Sequence, residues 1–220
     1  MSNLKHPWVQ LALDVEDLGT AVELALMAKD CGADWIEIGT KLLLSCGHKA
    51  TSVIRAAVGK DIPLVCDYKL PNLRLVIDRA QENSCNYILM ENAVDDYTVK
   101  DAVRYAEKTG IEPLIIMDVP LADMPKRAAR LQELGVKYVF LQHHLEEIWD
   151  GSTGLRSYSG VEEICRTVDI SVGVSSDQHD EQLEAIRRGA SWICFGQLLL
   201  KKDPELLKRW IDDIHNTERG

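Results

Sequence analysis

Short apolar runs alternate along this chain with longer stretches in which apolar residues recur every three to four positions, and the alternation continues from one end to the other. The short runs Trp8–Asp14, Asp34–Ile38, Pro63–Asp67, Asn86–Met90, Pro113–Asp118, Tyr138–Gln142, Ile170–Val174 and Ser191–Phe195 read as eight β-strands. The longer stretches, around Leu18–Cys31, His48–Val58, Leu73–Asn83, Val94–Lys108, Met124–Glu133, Gly160–Thr167, Asp180–Arg188 and Pro204–His215, read as eight helices. Cys31-Gly-Ala-Asp34, Leu134-Gly-Val-Lys137 and Arg188-Gly-Ala-Ser191 each put a glycine where a helix would stop, just before a strand. Eight strand–helix units in 220 residues match the roughly 200–250 residues of a minimal (β/α)8 barrel, the TIM barrel, better than an open doubly wound sheet, which periodicity alone leaves as the alternative. No linker or composition break interrupts the pattern, so residues 1–220 are expected to form one barrel domain.

Composition narrows the partners. With 46% hydrophobic and 27% charged residues, the chain has ample material for a core. No apolar run approaches the roughly 18 residues of a membrane span, and Met1–Pro7 lacks the apolar stretch of a signal peptide, so a cytoplasmic protein is expected. A formal net charge of −10 without any Lys/Arg cluster argues against a nucleic-acid backbone or an anionic membrane as the main partner. A small anionic ligand stays compatible, because local charge can oppose net charge. The six cysteines are widely spaced, without C-x-x-C, and several lie in apolar runs such as Leu64-Val-Cys66. They are expected to be buried thiols, not disulfides or zinc ligands.

A barrel places its chemistry at the C-terminal ends of its strands. Those ends read Leu13-Asp14, Ile36-Glu37-Ile-Gly-Thr40, Asp67-Tyr-Lys69, Glu91-Asn92, Asp118, Gln142-His-His144, Ser175-Ser-Asp177 and Gly196-Gln197. Asp67 and Lys69 are two apart, so strand alternation points both to one face, with Tyr68 opposite. Asp67 would keep Lys69 protonated, fit to stabilise a developing enolate or to form a structural ion pair. Glu37, on the neighbouring strand, would approach Asp67, and two carboxylates with room for water suit Mg²⁺. Ser175, Ser176, Gly196 and Gln197 end the last two strands just ahead of helices. Loops after strands seven and eight frequently cradle phosphate, which points to a phosphorylated substrate; alternatively, Ser175, Ser176 and Asp177 cap a helix.

Leu11-Ala-Leu-Asp14, Ile36-Glu-Ile-Gly-Thr40, Val65-Cys-Asp-Tyr-Lys69 and the closing Ser191–Gly196 strand together resemble the orotidine 5′-phosphate decarboxylase superfamily. They are nearest its branch of 3-keto-L-gulonate 6-phosphate decarboxylase and hexulose-6-phosphate synthase. The resemblance implies a (β/α)8 homodimer with active sites completed across the interface. It also implies Mg²⁺ held by Glu37 and Asp67, and a 1,2-enediolate stabilised by the metal and Lys69. Asp14 matches a substrate-contacting aspartate, and Thr40 belongs to the Glu-x-Gly-Thr motif and is assigned to substrate. Because orotidine decarboxylation needs no metal, Glu37 in that motif argues against that member.

Departures from the branch concern specificity and proton delivery. Asn72 stands where the family has the second Asp of Asp-x-Lys-x-x-Asp, and Asp118 stands for a longer Glu. Gln142 aligns with a catalytic histidine, leaving His143 and His144 one and two places late, and Leu145 replaces an arginine. Ser175-Ser176 replaces Gly-Gly, and Gln197 replaces an arginine near phosphate. The first reading is a Mg²⁺-dependent lyase that decarboxylates a β-keto sugar-acid phosphate. In it Asp67, Lys69 and Asn72 are catalytic, and His143 or Asp118 assists protonation. Asp14, Thr40, Gln142, Ser175, Ser176, Gly196 and Gln197 bind the sugar phosphate. Alternatives are aldol addition of formaldehyde to a pentulose phosphate and a binding or regulatory member without catalysis. No pair of opposed acids supports a sugar-phosphate epimerase.

Overall fold

The computed structural model describes residues 6–69, 73–91, 95–117, 119–142 and 158–220. Its strands are β1 (Trp8–Leu13), β2 (Trp35–Ile38), β3 (Leu64–Cys66), β4 (Tyr87–Met90), β5 (Glu112–Ile116), β6 (Tyr138–Leu141), β7 (Ser171–Ser175) and β8 (Trp192–Phe195). All pair in parallel and in chain order, and β8 returns to β1, so the barrel is closed and the open-sheet alternative is excluded. The helices are α1 (Leu18–Asp30), α2 (Thr40–Cys46), α3 (Lys49–Val58), α4 (Leu73–Glu82), α5 (Asp96–Thr109), α6 (Met124–Glu133), α7 (Val161–Thr167), α8 (His179–Arg187), α9 (Gln197–Leu200) and α10 (Pro204–Asn216).

Local signals account for most boundaries. Asp17, Asp95 and Asp203 cap α1, α5 and α10 by accepting from backbone N–H groups of the first turn, which otherwise lack partners. Gly32, Gly135 and Gly189, the expected stops, all take positive φ, a conformation other residues adopt only at a cost. Two short helices do not show in the sequence pattern. Thr40-Lys-Leu-Leu-Leu-Ser-Cys46 has no helical apolar period, and α9 has only four residues.

Alternation along the strands sorts side chains into two cores. Leu11, Leu13, Ile36, Ile38, Leu64, Cys66 and Ile88 face outward to the helices. Trp35, Val65, Leu89, Leu114, Phe140 and Trp192 fill the barrel, with Trp8, Tyr87 and Tyr138 packed against them. The aromatic rings close the N-terminal end: Trp35 stacks on Tyr87 at 4.5 Å between centroids and lies 5.7 Å from Trp192. Space for Trp192 comes from Gly173 on β7, where an added Cβ would sit 2.0 Å from the indole. Gly173→Ala is therefore expected to destabilise the protein by about 3 kcal/mol or more, read as a lower midpoint in urea unfolding; an unchanged midpoint would contradict this packing.

With that plug below, the polar interior positions gather at the other end. Of the six thiols, Cys31, Cys66, Cys85 and Cys194 are buried, Cys46 and Cys165 are partly exposed, and none is bridged. Among the described residues no helix is long and apolar enough to cross a membrane.

Candidate active site

Strands β1, β2 and β3 deliver the carboxylates of Asp14, Glu37 and Asp67 to the C-terminal mouth. Asp14 follows β1 directly, half-buried, and is wedged beside two glycines. A Cβ on Gly39 would lie 2.3 Å from Asp14 Oδ1, and one on Gly196 would lie 3.4 Å from its Oδ2. The glycine of Glu-x-Gly-Thr thus makes room for Asp14. Burial, then the charge of Asp67, raises the Asp14 carboxyl above its ordinary range, against the pull of Lys41 and Lys69.

Glu37 points into the barrel from β2 and is only 5% exposed. Its Oε2 accepts from Gln10 Nε2 at 2.5 Å and from the Cys194 thiol at 3.3 Å. Burial first, then the charges of Asp67 and Asp14, push its pKa up to about 8. Gln10 is wholly buried, and its Oε1 has no partner. Its amide is therefore committed to donating to Glu37. Neither Gln10 nor Cys194 was singled out as a site residue from sequence, yet residues 10, 12 and 14 share one face of β1, and that period was the available signal.

Asp67 comes one residue after β3 and is 5% exposed. Thr40, also expected on substrate, donates its hydroxyl to Asp67 Oδ2 at 2.7 Å. Lys69 Nζ lies 3.6 Å from the same oxygen. The ladder stops at Cys66, so strand alternation is not what brings Lys69 alongside. Lys69 takes a left-handed φ of 49°, a conformation that costs a non-glycine residue about 1–2 kcal/mol and turns the chain at the mouth. Tyr68 does point the other way, as expected, into the helix-facing core, where its hydroxyl meets His48 Nδ1 at 3.1 Å.

Burial works against the charge of Lys69, but Asp67, Glu37 and Glu91 outweigh it and raise its pKa, so the amine stays protonated. Burial raises Asp67, while Lys69 and Thr40 pull it down. Asp67 Oδ1 is buried with no hydrogen-bond partner. A buried carboxylate oxygen without a partner, next to a glutamate whose ionisation is suppressed by burial and then by other acids, is the arrangement a divalent cation would relieve. The donor set, carboxylate oxygens alone, suits Mg²⁺. Glu37 and Asp67 thus fit the metal role assigned to them.

At the ends of β7 and β8 a carboxylate of the chain meets the backbone N–H groups. Asp177 Oδ1 accepts from the backbone N–H of Gly196 at 3.0 Å and of Gln197 at 2.9 Å. The donors expected to meet a substrate anion are thus held by a carboxylate of the chain itself. Ser176 is buried and gives its hydroxyl to Glu181 at 2.8 Å, while accepting from Gln178 N–H at 3.2 Å. It ties the turn before α8 to Glu181 in that helix without capping it, since Gln178 is the N-cap and, among the described residues, no side chain caps the first-turn N–H groups, whereas Asp177 bridges to the neighbouring loop. Ser175 ends β7 half-buried, and Gln142 follows β6 half-buried. Asn72, Asp118, His143 and His144 lie outside the described residues.

A closed parallel barrel with buried carboxylates and a protonated lysine at its C-terminal mouth defines a class: barrel enzymes that stabilise negative charge developing on a substrate carbon acid. The chain matches the model of the Orotidine 5'-phosphate decarboxylase / HUMPS family over residues 7–206, and it belongs to that family. It is accordingly a carbon–carbon lyase. It is similar to 3-hexulose-6-phosphate synthase 3 of Staphylococcus saprophyticus, 27% identical over 172 residues that cover 77% of this chain and 80% of the relative. Its fold is similar to that of 3-hexulose-6-phosphate synthase from Salmonella typhimurium, with a TM-score of 0.82 at 19% identity over 94% of this chain and 97% of that one. It is also similar to that of 3-keto-L-gulonate-6-phosphate decarboxylase from Vibrio cholerae, with a TM-score of 0.78 at 20% identity over 95% of this chain and 99% of that one.

Proposed function

We propose that the protein is a divalent-metal-dependent lyase that makes or breaks the bond to C1 of a ketose phosphate through a 1,2-enediolate. Formaldehyde addition to a pentulose phosphate stands ahead of decarboxylation of a β-keto sugar-acid phosphate. The observation that carries this reading is the buried mouth itself, where Lys69 is paired with Asp67 beside Glu37 and Asp67 Oδ1 has no partner. The motifs alone ranked the decarboxylase first. The synthase names of the curated relatives favour the aldol reaction, and the same groups serve both.

Magnesium held by Glu37 and Asp67 would supply a Lewis acid for the substrate's oxygens. Lys69 contributes fixed positive charge where the enediolate oxygen develops, and Asp67 keeps that charge in place. Thr40 orients Asp67, and Gln10 and Cys194 orient Glu37. In the aldol direction a proton leaves C1, the C1 carbanion attacks formaldehyde, and a proton reaches the new alkoxide. In decarboxylation CO₂ leaves with its electron pair passing to the enediolate, and a proton is added at C1. We assign these transfers to His143 or Asp118, hydroxyl recognition to Asp14, Asn72 and Gln142, and the phosphate to the loops of Ser175, Ser176, Gly196 and Gln197. A second copy of the chain is part of this reading. Leu44 on α2, 82% exposed beside the mouth, is an apolar side chain that it would cover.

For a phosphate to use the Gly196 and Gln197 N–H groups, Asp177 must leave them. Asp177→Ala removes one like charge, worth about 1–2 kcal/mol at this partly solvated distance, and is expected to lower KM for the phosphorylated substrate about tenfold with kcat unchanged. A raised KM would show instead that Asp177 organises the loop for binding. The function itself is tested by following a pentulose phosphate with Mg²⁺, with and without formaldehyde, alongside CO₂ release from a β-keto sugar-acid phosphate. Acceptor loss that requires formaldehyde supports the aldol reading, and CO₂ release alone restores the decarboxylase. Ligand binding with neither reaction would leave the non-catalytic module.

A further inference from the structure

We propose that the opposite, N-terminal face of the barrel carries a separate site for a borderline transition-metal ion such as Zn²⁺, formed by His6, Asp34 and His215. Each of the three offers one ligand atom, and these atoms lie within 4.8 Å of one another, the one such convergence of three groups among the described residues. They come from distant parts of the chain. His6 precedes β1, Asp34 precedes β2, and His215 lies in the last turn of α10.

The geometry is held from outside the cluster. Asp34 Oδ2 accepts from Val9 N–H at 2.8 Å and lies 2.8 Å from His215 Nε2. The His6 and His215 rings stand 4.3 Å apart between centroids. His6 Nδ1 lies 2.9 Å from the Pro7 carbonyl oxygen. A carbonyl only accepts, so Nδ1 carries the proton and Nε2 keeps its lone pair, the tautomer arrangement of a metal-binding imidazole with its second nitrogen tied down. The side chains of Asp34 and His215 are 23% and 21% exposed, so part of their hydration is already lost. A cavity of about 340 Å³ opens beside the two histidines and is also lined by Glu218, which leaves room for water or a further carboxylate in the shell.

Two imidazoles and a carboxylate form a zinc-type donor set, whereas Mg²⁺ prefers oxygen and retains water. Binding replaces the proton shared by His215 and Asp34. With both atoms about 2.0–2.1 Å from a tetrahedral ion they would stand about 3.3 Å apart, so the present contact has to open by about half an ångström. When Nε2 becomes a ligand, its proton passes to Nδ1 of the same ring, so the neutral imidazole binds as the other tautomer. The occupied site would fasten the segment before β1 to the last helix on the face remote from the chemistry. Its effect is therefore on stability, not turnover. This inference does not depend on the proposed reaction.

The test is Zn²⁺ titration calorimetry of the full chain in saturating Mg²⁺, which keeps the Glu37–Asp67 pair occupied, with Co²⁺ absorption as a second readout. Expected are one Zn²⁺ per chain, a raised melting temperature, and a Co²⁺ spectrum of nitrogen–oxygen ligation. His6→Ala and His215→Ala should each weaken binding at least about 100-fold, since even outer-sphere partners of metal ligands are worth 10–100-fold. Cys46→Ser and Cys165→Ser should leave it unchanged. If His215→Ala does not fold, His6→Ala decides, because His6 lies outside every strand and helix. Absence of Zn²⁺ binding in the wild type, or binding undiminished in His6→Ala, would overturn the proposal.

Discussion

Lys69→Ala is expected to lower kcat by about 10²–10³-fold or more, the usual loss when one fixed donor to a developing oxyanion is removed, while the barrel stays folded. The side chain is one-third exposed and, among the described residues, pairs with Asp67, so little packing is lost. Its backbone offers an internal control. At a φ of 49° glycine is at ease where lysine and alanine are not, so Lys69→Gly should be at least as stable as Lys69→Ala, by up to about 1 kcal/mol, and equally inactive. Both variants also take the compensating charge away from Asp67, whose carboxyl then rises further. Kinetics on the true substrate with urea unfolding checks this. Normal turnover in either variant would remove Lys69 from the chemistry.

The second large effect belongs to Glu37. In the metal-free fold its carboxyl titrates near 8, against an ordinary value of 4.5. A carboxyl raised on folding binds its proton more tightly in the native state, so stability falls as pH climbs from about 4.5 to about 8 and the loss is complete above that. Glu37→Gln keeps an acceptor for Gln10 but has nothing to ionise. The metal-free variant is therefore expected to be more stable than the wild type at pH 9, with little difference at pH 4. Part of the slope persists in the variant, because burial also raises Asp14 and Asp67. Added Mg²⁺ should stabilise the wild type at high pH and the variant far less, and turnover should fall by orders of magnitude. Unfolding curves across pH, with and without Mg²⁺, give the answer; superimposable profiles for the two proteins would contradict the account of Glu37.

Much of this site was legible before any coordinates because a parallel barrel obeys two rules at once. Buried strands read as apolar runs, and chemistry collects where those runs end. Asp14, Glu37 and Asp67 follow directly from that, and the family resemblance proved correct. What sequence did not show depends on contacts between distant elements. Asp177 sits in a serine-rich turn that reads as a phosphate cradle or a cap, and only closure of β8 against β7 brings it to the N–H groups of Gly196 and Gln197. Thr40 reads as a substrate contact because it follows Glu37, and only the placement of α2 shows that its hydroxyl also reaches Asp67. Strand alternation gave the right partner for Lys69 by a route the backbone does not take, since the strand ends three residues earlier and a left-handed turn makes the pair. The α2 helix has no apolar period to betray it, because Leu44 faces outward.

The claim at the centre of this account is that Lys69, Asp67 and Glu37 together stabilise an enediolate, whichever bond is made or broken afterwards. Exchange of the C1 hydrogens of a pentulose 5-phosphate with deuterium in ²H₂O, followed by proton NMR with no formaldehyde present, isolates that step. The expected result is loss of the C1 signal with wild-type protein and Mg²⁺, none when the metal is chelated, and none with Lys69→Ala. Exchange that proceeds equally well with Lys69→Ala or after chelation, or a wild-type protein that binds the ketose phosphate with Mg²⁺ and exchanges nothing, would contradict it.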